Sequence, residues 1–376
     1  LSHACAIDVS GEVLCWGNNK FGQLGDGTKK NSPTPKKIDA NALSGVISIS
    51  AGRDFTCALQ GDGVVKCWGD NQFNQVGVAE TQPLTSPTTV QNIPKISSLV
   101  AGSSHVCGRD EVGAIHCWGN NSHCQLGFCS AWKKAHQPTM VAGLTGAVAI
   151  APGEDHTCAL LADGDAICWG RNHIGQLGEG SSGSEHKLLV RVRGFAIDKQ
   201  PLAAGATHAC VVKTNGTVAC WGSNDFGQLG DNSKLDSKAP AMNPYVKGAV
   251  ALAAGDSMSY ALKSDGTVMS WGKNNVGQLG DGTQVGSLFA DGIDGLAHVQ
   301  AIASGYSHAC AVKTDGSVVC WGSNSNGQMG DDSKEKKLVP TPIKGLTDAV
   351  AVAVGQTSSC ALKSDGTVVC WGDNTD

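Results

Sequence analysis

The chain has 376 residues, with 50 Gly, 16 Cys and 9 Trp against only 3 Tyr, 7 Phe and 16% charged residues. Its 41% hydrophobic content is enough to build a core and excludes a disordered chain, while no run approaches the roughly eighteen apolar residues of a membrane span. The 28 basic and 33 acidic residues leave a formal charge of −5, the wrong sign for neutralising phosphates, so nucleic acid is not an expected partner and membrane insertion is not expected.

Trp-Gly pairs begin at Trp16, Trp68, Trp118, Trp169, Trp221, Trp271, Trp321 and Trp371, a period of about 51 residues, and only Trp132 lies outside it. Within each unit the elements follow one order. An inner strand such as Ala349-Val-Ala-Val-Ala-Val alternates small and branched residues, ends at Gly355 and reads as buried. A hairpin follows, Cys360-Ala-Leu to Val368-Val-Cys370-Trp371, around a three-residue Ser-Asp-Gly tip that suits a type I turn closed by left-handed Gly. Behind most Trp-Gly pairs runs Asn-x-x-Gly-Gln-Leu-Gly-Asp, as at Asn224 to Asp231. A Pro-containing stretch, Leu338-Val-Pro-Thr-Pro-Ile343, supplies an outer edge strand, where Pro is tolerated. Three or four antiparallel strands repeated radially predict an all-β fold, a β-propeller formed as one domain over residues 1–376.

Fourteen cysteines form seven pairs, each ten residues apart: Cys5 and Cys15, Cys57 and Cys67, Cys107 and Cys117, Cys158 and Cys168, Cys210 and Cys220, Cys310 and Cys320, Cys360 and Cys370. Centring the hairpin on its tip sets each pair directly opposed on a non-hydrogen-bonded site, within disulfide reach. The sixth unit has Tyr260 and Ser270 in these slots, losing both cysteines together, as pairing predicts. Disulfides imply an oxidising compartment: extracellular, cell-surface or periplasmic. Buried thiols are the plain alternative; zinc is disfavoured because each hairpin offers only two sulfurs.

The motif Ala-Gly-x-x-His-x-Cys-Ala-Leu, then Asp-Gly-x-Val-x-Cys-Trp-Gly, then Asn-x-x-Gly-Gln-Leu-Gly-Asp resembles the regulator of chromosome condensation repeat, at Ala204 to Asp231 and again at Ser304 to Asp331. The resemblance runs through nearly the whole chain. It implies a propeller, by family habit of seven four-stranded blades, serving most often as a protein-interaction platform. The family's nuclear member is an exchange factor for a small GTPase. Paired cysteines depart from that pattern and resemble a secreted bacterial branch; secreted propellers of related repeat type include an inhibitor of β-lactamases.

Eight hairpins stand against seven inner strands, which end at Gly52, Gly102, Gly153, Gly205, Gly255, Gly305 and Gly355. The count favours eight blades and an upstream segment, absent from this chain, that supplies one outer and one inner strand. Leu1 then lies in mid-repeat, and the lack of a signal peptide carries no message about export.

Gln23, Gln75, Gln125, Gln176, Gln228, Gln278 and Gln328, with His3, His105, His156, His208 and His308, recur around the ring and read as packing and turn residues. No nucleophile elbow, P-loop or zinc-protease helix motif occurs, so no catalytic residue, metal or cofactor is assigned. The Asp-Gly-Thr loops at Asp26 and Asp281 lack the carboxylate density of a calcium loop.

Function is expected where the repeat breaks. The third unit replaces the standard loop with His123-Cys124-Gln-Leu-Gly-Phe128-Cys129-Ser-Ala-Trp132-Lys133-Lys134-Ala-His136. An additional Cys124–Cys129 disulfide is expected there; a metal site through His123, Cys124, Cys129 and His136, or free thiols, are the alternatives. Pinning the loop would present Phe128, Trp132, Lys133, Lys134 and His136 as an aromatic and basic patch. The second departure is Glu179 to His186, an extended loop before a strand bearing Arg191 and Arg193. Asn120 and Asn215 head glycosylation sequons. The expected function is a non-catalytic, extracellular protein-binding or assembly scaffold. A secreted enzyme inhibitor, a glycan-binding propeller using the per-unit Trp residues, and an enzyme acting in the central channel are the alternatives.

Overall fold

The computed structural model describes residues 3–8, 11–39, 41–130, 133–180, 185–192 and 202–373. These form 30 strands in eight antiparallel sheets, the blades of a propeller. No helix among the described residues is long and apolar enough to cross a membrane. Blades 2 to 7 run from the channel outward as inner strand, two hairpin strands and outer strand. In blade 6 these are Ala249–Ala254, Met258–Lys263, Val268–Gly272 and Ser287–Gly292. Among the described residues blade 1 has a hairpin and an outer strand, His3–Ile7, Val13–Gly17 and Ser32–Lys37. Blade 8 has an inner strand and a hairpin, Ala349–Val354, Ser358–Lys363 and Val368–Gly372.

The hairpins form as the three-residue tip predicts. In blade 6 the Gly266 amide donates to Lys263 O at 2.9 Å, and Lys263 N closes the loop on Thr267 O at 2.9 Å. Gly266 takes φ of +79°, a conformation that costs glycine little. Asp265 caps the same turn by accepting from Thr267 N at 3.0 Å and Thr267 Oγ1 at 2.6 Å. This local geometry sets the register, and every paired cysteine faces its partner, as Cys310 faces Cys320.

The inner strands correct one expectation. They are half-buried rather than buried, because one side lines the channel and only the other packs on the blade; blade 8's Val350 is 47% exposed. Their terminal glycines let the strands converge. A Cβ on Gly205 would lie 2.5 Å from Gly255 O, and one on Gly255 would lie 2.5 Å from Gly305 O. Apolar burial lies between blades: Met258, Tyr260, Leu262 and Val268 of blade 6 pack with Ala309, Ala311 and Trp321 of blade 7.

Candidate functional site

The repeated polar residues latch neighbouring blades together. In each Asn-x-x-Gly-Gln loop the Gln side-chain oxygen accepts the amide two residues earlier, as Gln228 does from Phe226 N at 3.0 Å. The Gln main-chain carbonyl accepts the indole N–H of the next blade: Gln23 from Trp68 at 2.8 Å, Gln125 from Trp169 at 2.8 Å, Gln278 from Trp321 at 2.9 Å. Trp68, Trp118, Trp169, Trp221, Trp271 and Trp321 are thereby fully buried and offer no ring face to a sugar.

Histidines extend the latch. His105 Nε2 lies 2.9 Å from Thr157 Oγ1 in the next blade, and that hydroxyl donates to Gln125 O at 3.1 Å. The threonine proton is committed to the carbonyl, so the imidazole must donate through Nε2 while Nδ1 stays unprotonated. His3 meets Thr56, His208 meets Ser259 and His308 meets Ser359 in the same way, at 2.7, 2.9 and 2.8 Å. At the next slot along, His156 faces a blade carrying Ala209, and its Nε2 is buried without a partner. Burial pushes His105, His156 and His308 down to about 4, and His3 and His208 to about 3. Neutral, interior and repeated, these groups are structural.

The blade 3 loop is built differently. Cys124 and Cys129 form a disulfide with Cα atoms 4.8 Å apart, so their sulfurs are not available to the alternative metal set. His123 faces Asp155 of blade 4 instead, at 4.0 Å. Cys124 takes φ of +63° in a slot held elsewhere by Gly22, Gly175, Gly227 and Gly277, all at positive φ, and by Asn74. The left-handed turn is thus retained by a residue that disfavours it.

The expected patch is only partly assembled. Phe128 is half-buried against Leu126 and Val141 of blade 3 and Trp169 of blade 4, and its main-chain carbonyl accepts from Asn121 Nδ2 at 2.8 Å. Lys133 and His136 are exposed, and Lys134 Nζ bonds Gln72 O of blade 2 at 3.3 Å. Trp132 and Arg193 lie outside the described residues. Arg191 does not join this patch: it pairs with Asp163 and Asp165 of its own hairpin tip, at the opposite end of the blade. Asn120 is 8% exposed and bonds Ser104 Oγ at 3.0 Å, leaving no room for a glycan, whereas Asn215 stands exposed on a hairpin tip. In the Asp26 loop the carboxylate is occupied by Asn19 Nδ2 at 3.0 Å and Thr28 Oγ1 at 2.8 Å, holding the turn closed.

Two cavities open on the face formed by these loops and by the turns that follow the inner strands. One, of about 530 Å³, is the channel mouth, lined by the ends of seven inner strands. Its repeat residues are small; Arg53, Glu154, Asp256 and Tyr306 break the symmetry, and Arg53 pairs with Glu154 at 3.6 Å. The other, of about 320 Å³, lies across blades 1 to 4 and is lined by Phe21, Phe73, Asp54, Asp70, Asp155 and Asn120, among others. Sequence reading missed it, because its walls come from separate units and none of them forms a motif. Burial, then the Asp70 charge beside it, raises the Asp54 carboxyl above its usual range.

Comparison with known proteins follows the same lines. A family model for the regulator of chromosome condensation (RCC1) repeat matches residues 10–59, 62–108, 112–160, 265–312 and 315–362, and a second adds 202–228. The ultraviolet-B receptor UVR8 of Arabidopsis thaliana is 28% identical over 242 residues, covering 64% of this chain and 43% of the receptor. The probable E3 ubiquitin-protein ligase HERC4 of Homo sapiens is 38% identical over 235 residues, covering 61% of this chain and 22% of the ligase. The chain therefore spans less than half the length of these relatives. Prp20p of Saccharomyces cerevisiae, described with its binding to Gsp1p and histones, superposes with a TM-score of 0.77 at 22% identity, over 99% of this chain and 94% of its own. Human WBSCR16 superposes at 0.78 with 22% identity, over 94% of this chain and 100% of its own. The latch residues, the eight-bladed ring and the family match agree: the chain belongs to the regulator of chromosome condensation repeat family.

Proposed function

We propose that this propeller is a non-catalytic, extracellular scaffold that binds a protein partner on the face carrying the blade 3 loop. The observation that carries the reading is that loop: a crosslink at Cys124–Cys129 holds a left-handed turn at a place where most units use glycine. Pre-ordering a surface loop lowers the entropy lost when a partner orders it, which favours a binding role. The disulfides in the blades and the loop support an oxidising compartment, where such bonds persist. Prp20p, which shares this fold, binds Gsp1p and histones, which supports a protein-binding role.

The binding face can be tested by placing a photo-crosslinking amino acid at Lys133 and, separately, at Val112, an exposed hairpin-tip residue at the opposite end of blade 3. Crosslinks to a second polypeptide from position 133 and not from 112 are expected in the native host. Equal labelling at both, or none at 133, overturns the assignment. Non-reducing mass spectrometry of freshly isolated protein checks the compartment, which free thiols at Cys310 and Cys320 would contradict.

A further inference from the structure

Blades 5 and 6 contain a filled example of a site that blades 1 and 2 leave unfilled. At the 5–6 junction the loop aromatic Phe226 lies under Lys273 Nζ, 5.0 Å from the ring centroid, and the same ammonium lies 3.5 Å from Asp256. Lys273 occupies the position just after Trp271-Gly272. Blade 4 uses the same position for Arg171, which neutralises Asp155 at 3.2 Å. In blade 2 the position holds Asp70. The aromatic is retained there, as Phe21 from blade 1, and Phe73 adds a second ring. The main chain at both positions is held by the Gln latch, Phe21 N donating to Gln23 Oε1 at 2.9 Å and Phe73 N to Gln75 Oε1 at 2.8 Å. The internal cation has thus been replaced by a carboxylate, Asp54 stands beside it, and a cavity of about 320 Å³ occupies the space.

We propose that this cavity accepts a lysine or arginine side chain from the protein partner, held between Phe21 and Phe73 and neutralised by Asp70 and Asp54. The inference rests on the protein-binding reading above and supplies the partner's chemistry. A volume at the low end of ligand pockets suits one long side chain rather than a metabolite. An ammonium or guanidinium over an aromatic face and against carboxylates is attracted by both. Two cations of the chain are already nearby: Arg53 lines the cavity together with Glu154 and pairs with it at 3.6 Å, and Lys20 is exposed, 5.6 Å from the Phe21 centroid. Neither forms an ion pair with Asp70 or Asp54, whose polar contacts are the Gln75 Nε2 bond to Asp70 at 2.9 Å, the Gln72 N bond to Asp70 at 3.2 Å and the Gln23 Nε2 bond to Asp54 at 3.4 Å. Lys134 of the blade 3 loop bonds Gln72 on the cavity wall, so pocket and loop form one continuous surface.

The test uses the full chain with two peptides, acetyl-Ala-Ala-Arg-Ala-Ala-amide and its citrulline counterpart, which keeps the shape and removes the charge. Saturation-transfer NMR should detect the arginine peptide and see the citrulline peptide about tenfold more weakly. Asp70→Lys restores the cation that blade 6 carries in this position and should abolish binding; Glu111→Lys makes the same charge change on an opposite-face hairpin tip and should leave it intact. Asp54→Asn, a milder change, should weaken binding if Asp70→Lys fails to fold. Equal binding of the two peptides, or undiminished arginine binding in Asp70→Lys, overturns the proposal. Crosslinks from position 133 without any arginine preference would remove the pocket and keep the scaffold; arginine-peptide binding without those crosslinks would do the reverse.

Discussion

Blades 3 and 6 both break the repeat, one on the surface and the other in the interior. In blade 6 the lost cysteine pair is replaced by Tyr260, fully buried, whose hydroxyl donates to Gln278 O and whose ring meets Trp321 edge-on at 6.0 Å. Ser270 fills the opposite slot and donates to Leu279 O at 2.8 Å. Volume and polar groups are both accounted for, so the change is a packing substitution. In blade 3 the hairpin keeps Cys107–Cys117 and the departure is an additional crosslink in an outer loop. Blade packing does not call for it. The difference teaches that a break answered inside the blade, as at Tyr260 and Ser270, is packing, while a break that adds a crosslink to an outer loop is the place to test for the proposed binding face.

Five perturbations bear on that contrast. Acid should act most strongly, because it reaches the interior latches of several blades together. The buried histidines titrate at about 3 to 4 when folded and near 6.5 when unfolded, so the unfolded chain takes up the additional protons as pH falls below about 6.5. Stability is then full above that value and falls between about pH 6.5 and 4, at up to about 1.4 kcal/mol per pH unit for each histidine. Denaturant titrations across this range measure the slope; a flat profile would mean the imidazoles are already charged. Tyr260→Ala should cost about 3–5 kcal/mol by calorimetry, since it empties a large buried site. If it costs no more than a surface substitution, blade 6 is not compensated as described.

Removing crosslinks sharpens the contrast directly. Cys310→Ser with Cys320→Ser should cost about 3 kcal/mol, and Cys124→Ser with Cys129→Ser about 2 kcal/mol, because the latter closes a shorter loop. Only the second pair should also diminish crosslinking from position 133. The smallest effect is a gain: Ala209→Ser offers His156 Nε2 the hydroxyl that its counterparts have, and should raise stability by about 0.5–1.5 kcal/mol. An unchanged melting temperature would show that His156 lacks the geometry of His208 and Ser259.

Much of the fold is legible in the chain because its elements are local. A three-residue tip sets the hairpin register, the register opposes cysteines ten residues apart, and Gly-rich loops recur at fixed spacing. The blade count follows from counting hairpins. The Cys124–Cys129 pair is legible for the same reason, being five residues apart. The histidine latch could also have been found: His105 and Thr157, His208 and Ser259, and His308 and Ser359 recur as His-hydroxyl pairs about one repeat apart, while Phe55 and Met258 are followed one repeat on by apolar Val106 and Ala309.

Tertiary structure decided the rest, wherever one position depends on a neighbouring blade. Alternation marks the inner strands as apolar, but only closure around a channel leaves one side of them half-exposed. Composition makes Phe128 a surface aromatic, and packing against Val141 of blade 3 and Trp169 of blade 4 half-buries it. Arg191 reads as part of a basic surface until its strand sets it beside Asp163 and Asp165. Asp54, Asp70 and Phe21 become one cavity only because the ring sets the loop of one blade against the turns of the next. Local hydrogen bonding can be read along a chain; burial and charge pairing between blades depend on where the ring brings distant residues together.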